Sequence, residues 1–160
     1  METKIRDYAI SVLIALGIGT LAAYFSEDGM RSLYDEIRVP VLSPPSELFP
    51  VVWTILYFLM GISAAMIWRE KSPETAVTRR ISLVLYGLSL VVNFSWCFIF
   101  FGGRFFGFSL VWLLVLLALV VGTVFEYRKI SAAAAWLQIP YVLWLCFAGY
   151  LTCAIWILNP

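Results

Sequence analysis

The chain has 160 residues, of which 62% are hydrophobic and only 13% charged, with a mean hydropathy of +0.92. A water-soluble domain of this size has too much surface for its volume to bury that much apolar side chain, so composition excludes a soluble globular protein and points to an integral membrane protein. Eleven basic residues against ten acidic ones offer nucleic acid no basic footprint, and the lack of histidine removes the commonest zinc and haem ligand.

The first charge-free run is Tyr8 to Ser26. It is too long for the apolar region of a signal peptide, and no small-residue cleavage site follows. It reads as a first transmembrane helix. A long connection, residues 27–47, comes next, with Glu27, Asp28, Asp35, Glu36 and Glu47 against Arg31 and Arg38. Within it Met30, Leu33, Tyr34 and Ile37 keep helical spacing after an Asp28-Gly29 start signal, which predicts a short separate helix. The stretch Val39 to Pro45 holds three prolines and is predicted to be extended. A connection of this length with an apolar face reads as an ordered lid.

Leu48 to Trp68 is the second span, 21 residues without a charge. At about 1.5 Å per residue, it crosses a bilayer core of roughly 30 Å. Residues 81–103 and 105–125 form the third and fourth, joined by a tight hairpin at Gly102-Gly103-Arg104, and residues 132–158 the fifth, with a kink expected at Pro140. The predicted fold is one all-α domain over residues 1–160, a bundle of five transmembrane helices. Lys4, Arg6, Arg69, Lys71, Arg79, Arg80, Arg128 and Lys129 fall on one side, and only Arg31, Arg38 and Arg104 on the other. The positive-inside rule then puts the N-terminus inside and the C-terminus outside.

No acidic or basic residue falls within a span, which argues against a pump or an ion-coupled transporter. Cys97, Cys146 and Cys153 lie in apolar runs without CxxC spacing and read as small hydrophobes, so no metal site is expected. Trp68, Trp136 and Trp156 fall where an interfacial belt places tryptophan. The other rings concentrate in the outer half. Trp53 and Tyr57 share a face of span two; Asn93, Trp96 and Phe100 share one on span three. Phe108 and Trp112 enter from the outer end of span four, and Trp144 lies on span five with Ala148 and Leu151 above it. On the residues alone these rings face lipid, pack the bundle, or line a pocket for a large, flat, mostly apolar molecule.

Several stretches together resemble the translocator protein, or tryptophan-rich sensory protein (TspO/MBR), family. Pro40, Pro44-Pro45 and Val52-Trp53 with Tyr57, Gly61 and Trp68 are similar to its first loop and second helix. Asn93-Phe94-Ser95-Trp96 followed by Ile99-Phe100-Phe101-Gly102 and Arg104 resembles its third helix and hairpin. Pro140-Tyr141 with Trp144, Phe147-Ala148, Leu151, Trp156 and Leu158-Asn159 resembles its fifth helix. The resemblance implies a five-helix membrane bundle, often dimeric, that binds tetrapyrroles such as protoporphyrin IX in its outer half and, in animal members, cholesterol and benzodiazepine-type drugs. It implies no required cofactor, the porphyrin being ligand or substrate.

Light- and oxygen-driven porphyrin breakdown is attributed to bacterial members. By position, Trp53 and Trp144 match the indoles implicated in it. Tyr57, Asn93, Trp96 and Ala148 match ligand-lining positions, and Tyr34 and Pro44 match parts of the lid. The implied location is a bacterial cell membrane, or the mitochondrial outer membrane if the source is eukaryotic. The chain departs from the family pattern at Leu33, Leu42 and Glu47, where first-loop tryptophans are usual, at Pro50-Val51, at Ser89 and at Thr152. The sterol-recognition pattern of animal members is absent from its C-terminal end. Two other functions compatible with this layout are a carrier moving porphyrin, sterol or lipid between leaflets and a scaffold whose loops dock a partner protein.

Overall fold

The computed structural model describes residues 2–159 except Ser46, and for residues 28 and 30–35 the backbone alone. Among them are five helices long and apolar enough to cross a membrane, and no strand. They are α1 (Glu2–Glu36), α2 (Leu48–Arg69), α3 (Ala76–Cys97), α4 (Phe106–Ile130) and α5 (Ala132–Leu158). A 3₁₀ turn, Pro73–Thr75, leads into α3, and a π-helical turn, Phe98–Gly102, extends it.

The expected separate helix in the lid is absent. α1 instead continues unbroken through Asp28-Gly29 for 35 residues, so the helical spacing from Met30 onward belongs to the same helix. At about 1.5 Å per residue its length exceeds a bilayer core by several turns. Position 29 has room only for glycine, since a Cβ there would meet the Phe101 carbonyl oxygen at 2.9 Å. The irregular part of the lid is therefore residues 37–47, with a turn closed by Ser43 N–H on the Pro40 carbonyl at 3.0 Å. Asn159 holds this segment from the far end of the chain. Its Oδ1 accepts from Arg38 N–H at 2.9 Å, and its Nδ2 donates to the Arg38 carbonyl at 3.0 Å.

The helices close in the order α1, α2, α5, α4, α3 and back to α1. α2 is the most enclosed: Tyr57, Met60, Gly61, Ser63, Ala64 and Ile67 are all buried. Small residues allow this. A Cβ on Gly61 would lie 2.6 Å from Val12 Cα, and Ser11 Oγ donates to the Gly61 carbonyl at 2.7 Å, so α1 and α2 touch backbone to backbone. Ser63 Oγ donates to the Ala134 carbonyl at 2.8 Å and accepts from Gln138 Nε2 at 3.3 Å, joining α2 to α5. The Ser131 side chain caps α5 by accepting from Ala134 N–H. Pro140 sits inside α5 without ending it.

At the α3–α4 hairpin the left-handed residue is Arg104 (φ 53°), not either glycine. Its Nη1 lies 2.5 Å from Glu36 Oε2, which ties the hairpin to the end of α1. Gly103 is needed for space, since a Cβ would fall 2.7 Å from the Phe105 ring.

Candidate functional site

At the lid end of the bundle α1, α2, α3 and α5 enclose a hollow of about 260 Å³. α2 supplies one wall. Trp53 and Tyr57 lie a turn apart on one helical face, with ring centroids 5.6 Å apart. Trp144 of α5 meets Trp53 edge-on, at 6.4 Å and 86°, and Phe49 packs on Trp144 at 5.8 Å. Ala148 continues the α5 wall one turn beyond Trp144.

Beside these rings lies a hydrogen-bonded triad. Tyr57 O–H donates to Asn93 Oδ1 at 2.9 Å, and Asn93 Nδ2 donates to the Tyr141 hydroxyl at 2.5 Å, linking α2, α3 and α5. All three residues are buried, so the pairing offsets a desolvation cost that each would otherwise carry. α3 also brings Trp96 and Cys97 to the hollow. The Trp96 indole N–H is already used, donating to the Ser109 carbonyl at 3.0 Å, so the residue offers the hollow only an apolar ring.

No Asp, Glu, Lys or Arg lines the hollow among the described residues. The ionisable groups at this end stand outside it: the Arg104 guanidinium bonded to Glu36 holds that carboxyl below the usual carboxylate range, and Glu36 in turn raises Arg104. An enclosed, ring-lined, uncharged hollow suits a flat apolar molecule held by contact area and few hydrogen bonds.

The family model for TspO/MBR matches residues 10–157. The chain belongs to the TspO/MBR family. It is 30% identical over 164 residues to the tryptophan-rich protein TspO of Chlorobaculum tepidum, covering 100% of both chains. It is 35% identical over 149 residues to the translocator protein of Bos taurus, covering 91% of this chain and 85% of that one. With protein CrtK of Rhodobacter capsulatus it shares 34% identity over 155 residues, covering 96% and 92%. Membership and the five apolar helices make it an integral, multi-pass membrane protein.

In this TspO/MBR chain, six of the residues singled out from the sequence come together on the hollow: Trp53, Tyr57, Asn93, Trp96, Trp144 and Ala148. Others stand elsewhere. Phe100 is buried behind Trp96, stacked on it at 4.8 Å and packed against Ile155. Leu151 is buried off the wall, and Pro44 lies in the lid loop away from it. Phe108 is 54% exposed and stacks on Trp112, whose N–H donates to Ser95 Oγ at 2.9 Å. α4 thus spends its outer rings on the lipid-facing side and on pairing with α3. The Tyr34 side chain lies outside the described residues.

The wall that sequence reasoning missed belongs to α1: Leu16, Gly19, Thr20, Ala22, Ala23 and Ser26. The signal was present as the small side chains Gly17, Gly19, Thr20, Ala22 and Ala23, interrupted by Ile18 and Leu21, whose consequence is room. Gly19 in particular lets Tyr57 lie flat against the helix, since a Cβ there would fall 2.3 Å from the ring.

Proposed function

We propose that this protein binds tetrapyrroles, protoporphyrin IX the reference ligand, and similar flat apolar molecules in the hollow between α1, α2, α3 and α5. The observation that carries the reading is the uncharged enclosure in which Trp53 and Trp144 converge from separate helices. Because the two indoles meet edge-on, they form a corner and not a slot. A macrocycle would lie against one indole face with its rim toward the other, and Tyr57 and Asn93 would border it. Metal-free porphyrin is the natural form, since the chain has no histidine to serve as an axial ligand.

The rim of the hollow supports access from the bilayer. Thr20 and Ala23 of α1 and Pro50 and Thr54 of α2 line it and are also exposed, within segments that cross the membrane. Beyond the rings, Leu56, Met60, Leu116 and Leu145 pack into a continuous buried core, which favours binding over passage through the bundle. The membrane we propose is a bacterial cell membrane, with the N-terminus and the basic loops on the cytoplasmic side.

Titration with protoporphyrin IX, following quenching of indole fluorescence, tests the reading. Wild type should quench saturably, and Trp144→Phe should bind several-fold more weakly. Quenching no stronger than in a membrane protein without such a hollow overturns it. Turnover is the finer proposal: a bound porphyrin excited by light, with oxygen present, has two oxidisable indoles in contact, the cofactor-like chemistry belonging to the macrocycle. Unchanged photobleaching rates in both Trp53→Phe and Trp144→Phe would remove the indoles from that chemistry. Porphyrin flux into proteoliposomes above that of empty vesicles would instead identify a carrier.

A further inference from the structure

Trp144 borders two spaces. One is the hollow described above; the other is an open groove of about 480 Å³ between α2 and α5, within the segments that cross the membrane. Val52, Ile55 and Leu56 line the groove from α2, at i, i+3 and i+4. Pro140, Leu143, Trp144 and Phe147 line it from α5, at i, i+3, i+4 and i+7. Each set is a single helix face, so the groove runs lengthwise between the helices, for about 10 Å from Pro140 to Phe147.

Shape and chemistry together select the occupant. Leu56 is buried at the base of the groove, while Ile55 and Leu143, on its flanks, are 54% and 64% exposed. No charged, hydroxyl or amide side chain lines it among the described residues, and Pro140 has no backbone N–H to offer. A polar group would have nothing to bond to there. A phospholipid tail runs parallel to the spans and needs only apolar contact.

The same indole ties the groove to the hollow. Trp144 is half-buried, edge-on to Trp53, and in contact with Phe49 and Phe147 at centroid distances of 5.8 and 5.6 Å. Phe49 lies on the hollow and Phe147 on the groove. A side chain with a void on one side forfeits its contacts there, so filling the groove backs the indole against the hollow.

We propose that the α2–α5 groove seats one acyl chain of a bilayer phospholipid, and that this chain tightens binding in the hollow by bracing Trp144. The bracing rests on the reading of the hollow as a site for flat apolar molecules; the acyl-chain seat does not. The coupling is reciprocal: a ligand in the hollow strengthens the hold on the chain by the same factor.

The test uses the full chain in glyco-diosgenin, a detergent with a rigid steroid body and no alkyl tail. Phosphatidylcholine brominated on one acyl chain is titrated in, since bromine quenches an indole it touches. The Trp144 share of the emission is read as the difference between each protein and its Trp144→Phe counterpart. In wild type that share should be quenched saturably. Ile55→Phe and Leu143→Phe each enlarge an outward-facing flank without disturbing the core, and should raise the half-quenching lipid concentration about fivefold. Quenching that never saturates, or that is the same in both variants, overturns the seat. Stronger protection by added cholesterol than by unbrominated phosphatidylcholine would assign the groove to a rigid sterol and overturn the acyl chain.

Protoporphyrin IX affinity is then measured with and without unbrominated phosphatidylcholine. Lipid should tighten it about fivefold in wild type and less than twofold in the two variants. Loss of porphyrin into the lipid is common to all three proteins and cancels in the comparison. Equal lipid effects in wild type and variants overturn the bracing. If bromine quenching saturates while porphyrin does not bind at all, the reading of the hollow fails and the acyl-chain seat stands.

Discussion

Gly19 and Tyr57 are in direct register across the α1–α2 contact: a Cβ on the glycine would lie 2.3 Å from Tyr57 Cε2. The Tyr57 ring is itself held from behind by its hydrogen bond to Asn93 and by Trp53. It can neither retreat nor turn without breaking one of them. The glycine thereby sets how close α1 comes to the hollow.

Gly19→Val should therefore push Tyr57 toward the hollow or separate α1 from α2. Overpacking of this kind costs about 1–3 kcal/mol. If most of that falls on the site, protoporphyrin IX affinity should drop about tenfold or more. The protein should still fold, because Ser11–Gly61 and the Asp7–Arg69 ion pair hold the helices together further along. Affinity equal to that of wild type in the quenching titration would contradict this picture of the contact.

Asn93→Leu removes the centre of the triad and leaves the Tyr57 and Tyr141 hydroxyls buried without partners. Each orphan costs about 1–3 kcal/mol, so thermal unfolding in detergent should move sharply downward. Tyr57→Phe deletes one hydrogen bond and keeps the other, and should cost clearly less. The same melting temperature for the two variants would mean that the triad contributes nothing beyond packing.

The opposite sign is expected at the other end of the bundle. Tyr127 is fully buried, and its hydroxyl has no partner. Tyr127→Phe keeps the ring in the cluster with Ile67, Ala134 and Ala135 and removes the unpaired group. Stability should rise by up to about 1–3 kcal/mol. A fall in melting temperature would show that the hydroxyl is satisfied in the working protein, for example by buried water.

Glu36 and Arg104 carry a pH prediction. The Glu36 carboxyl is held below its ordinary value by the hydrogen bond and charge of Arg104. A carboxyl whose value is lower folded than unfolded stabilises the fold above the unfolded value, about 4.3, and that contribution is lost as pH falls through the lower one. The pair is exposed, so its loss should loosen the hairpin and the end of α1 without unfolding the bundle. Hydrogen exchange over residues 98–106 should speed up below about pH 4, and Arg104→Gln should show the faster exchange already at pH 7. Identical exchange in wild type and variant at neutral pH would remove the tie from the account.

Several features of this protein follow from the sequence unaided. Charge-free runs after Asp7, Glu47, Arg80, Arg104 and Lys129 locate the five membrane-crossing segments, because a bilayer admits only segments whose backbone bonds are internally satisfied, although α1, α3 and α4 extend past the charges that bound them. Spacing of three and four also groups Trp53 with Tyr57 and Trp144 with Ala148, since a helix fixes which side chains share a face. The packing order of the helices is not written locally. In a membrane a lipid-facing side and a core-facing side are both apolar, so hydrophobic periodicity does not distinguish Phe108, which turns outward, from Trp96, which turns in. That α1 and not α4 closes the hollow was decided by contacts between distant residues, Gly61 on Val12 and Gly19 on Tyr57, where the absence of a side chain let two helices meet.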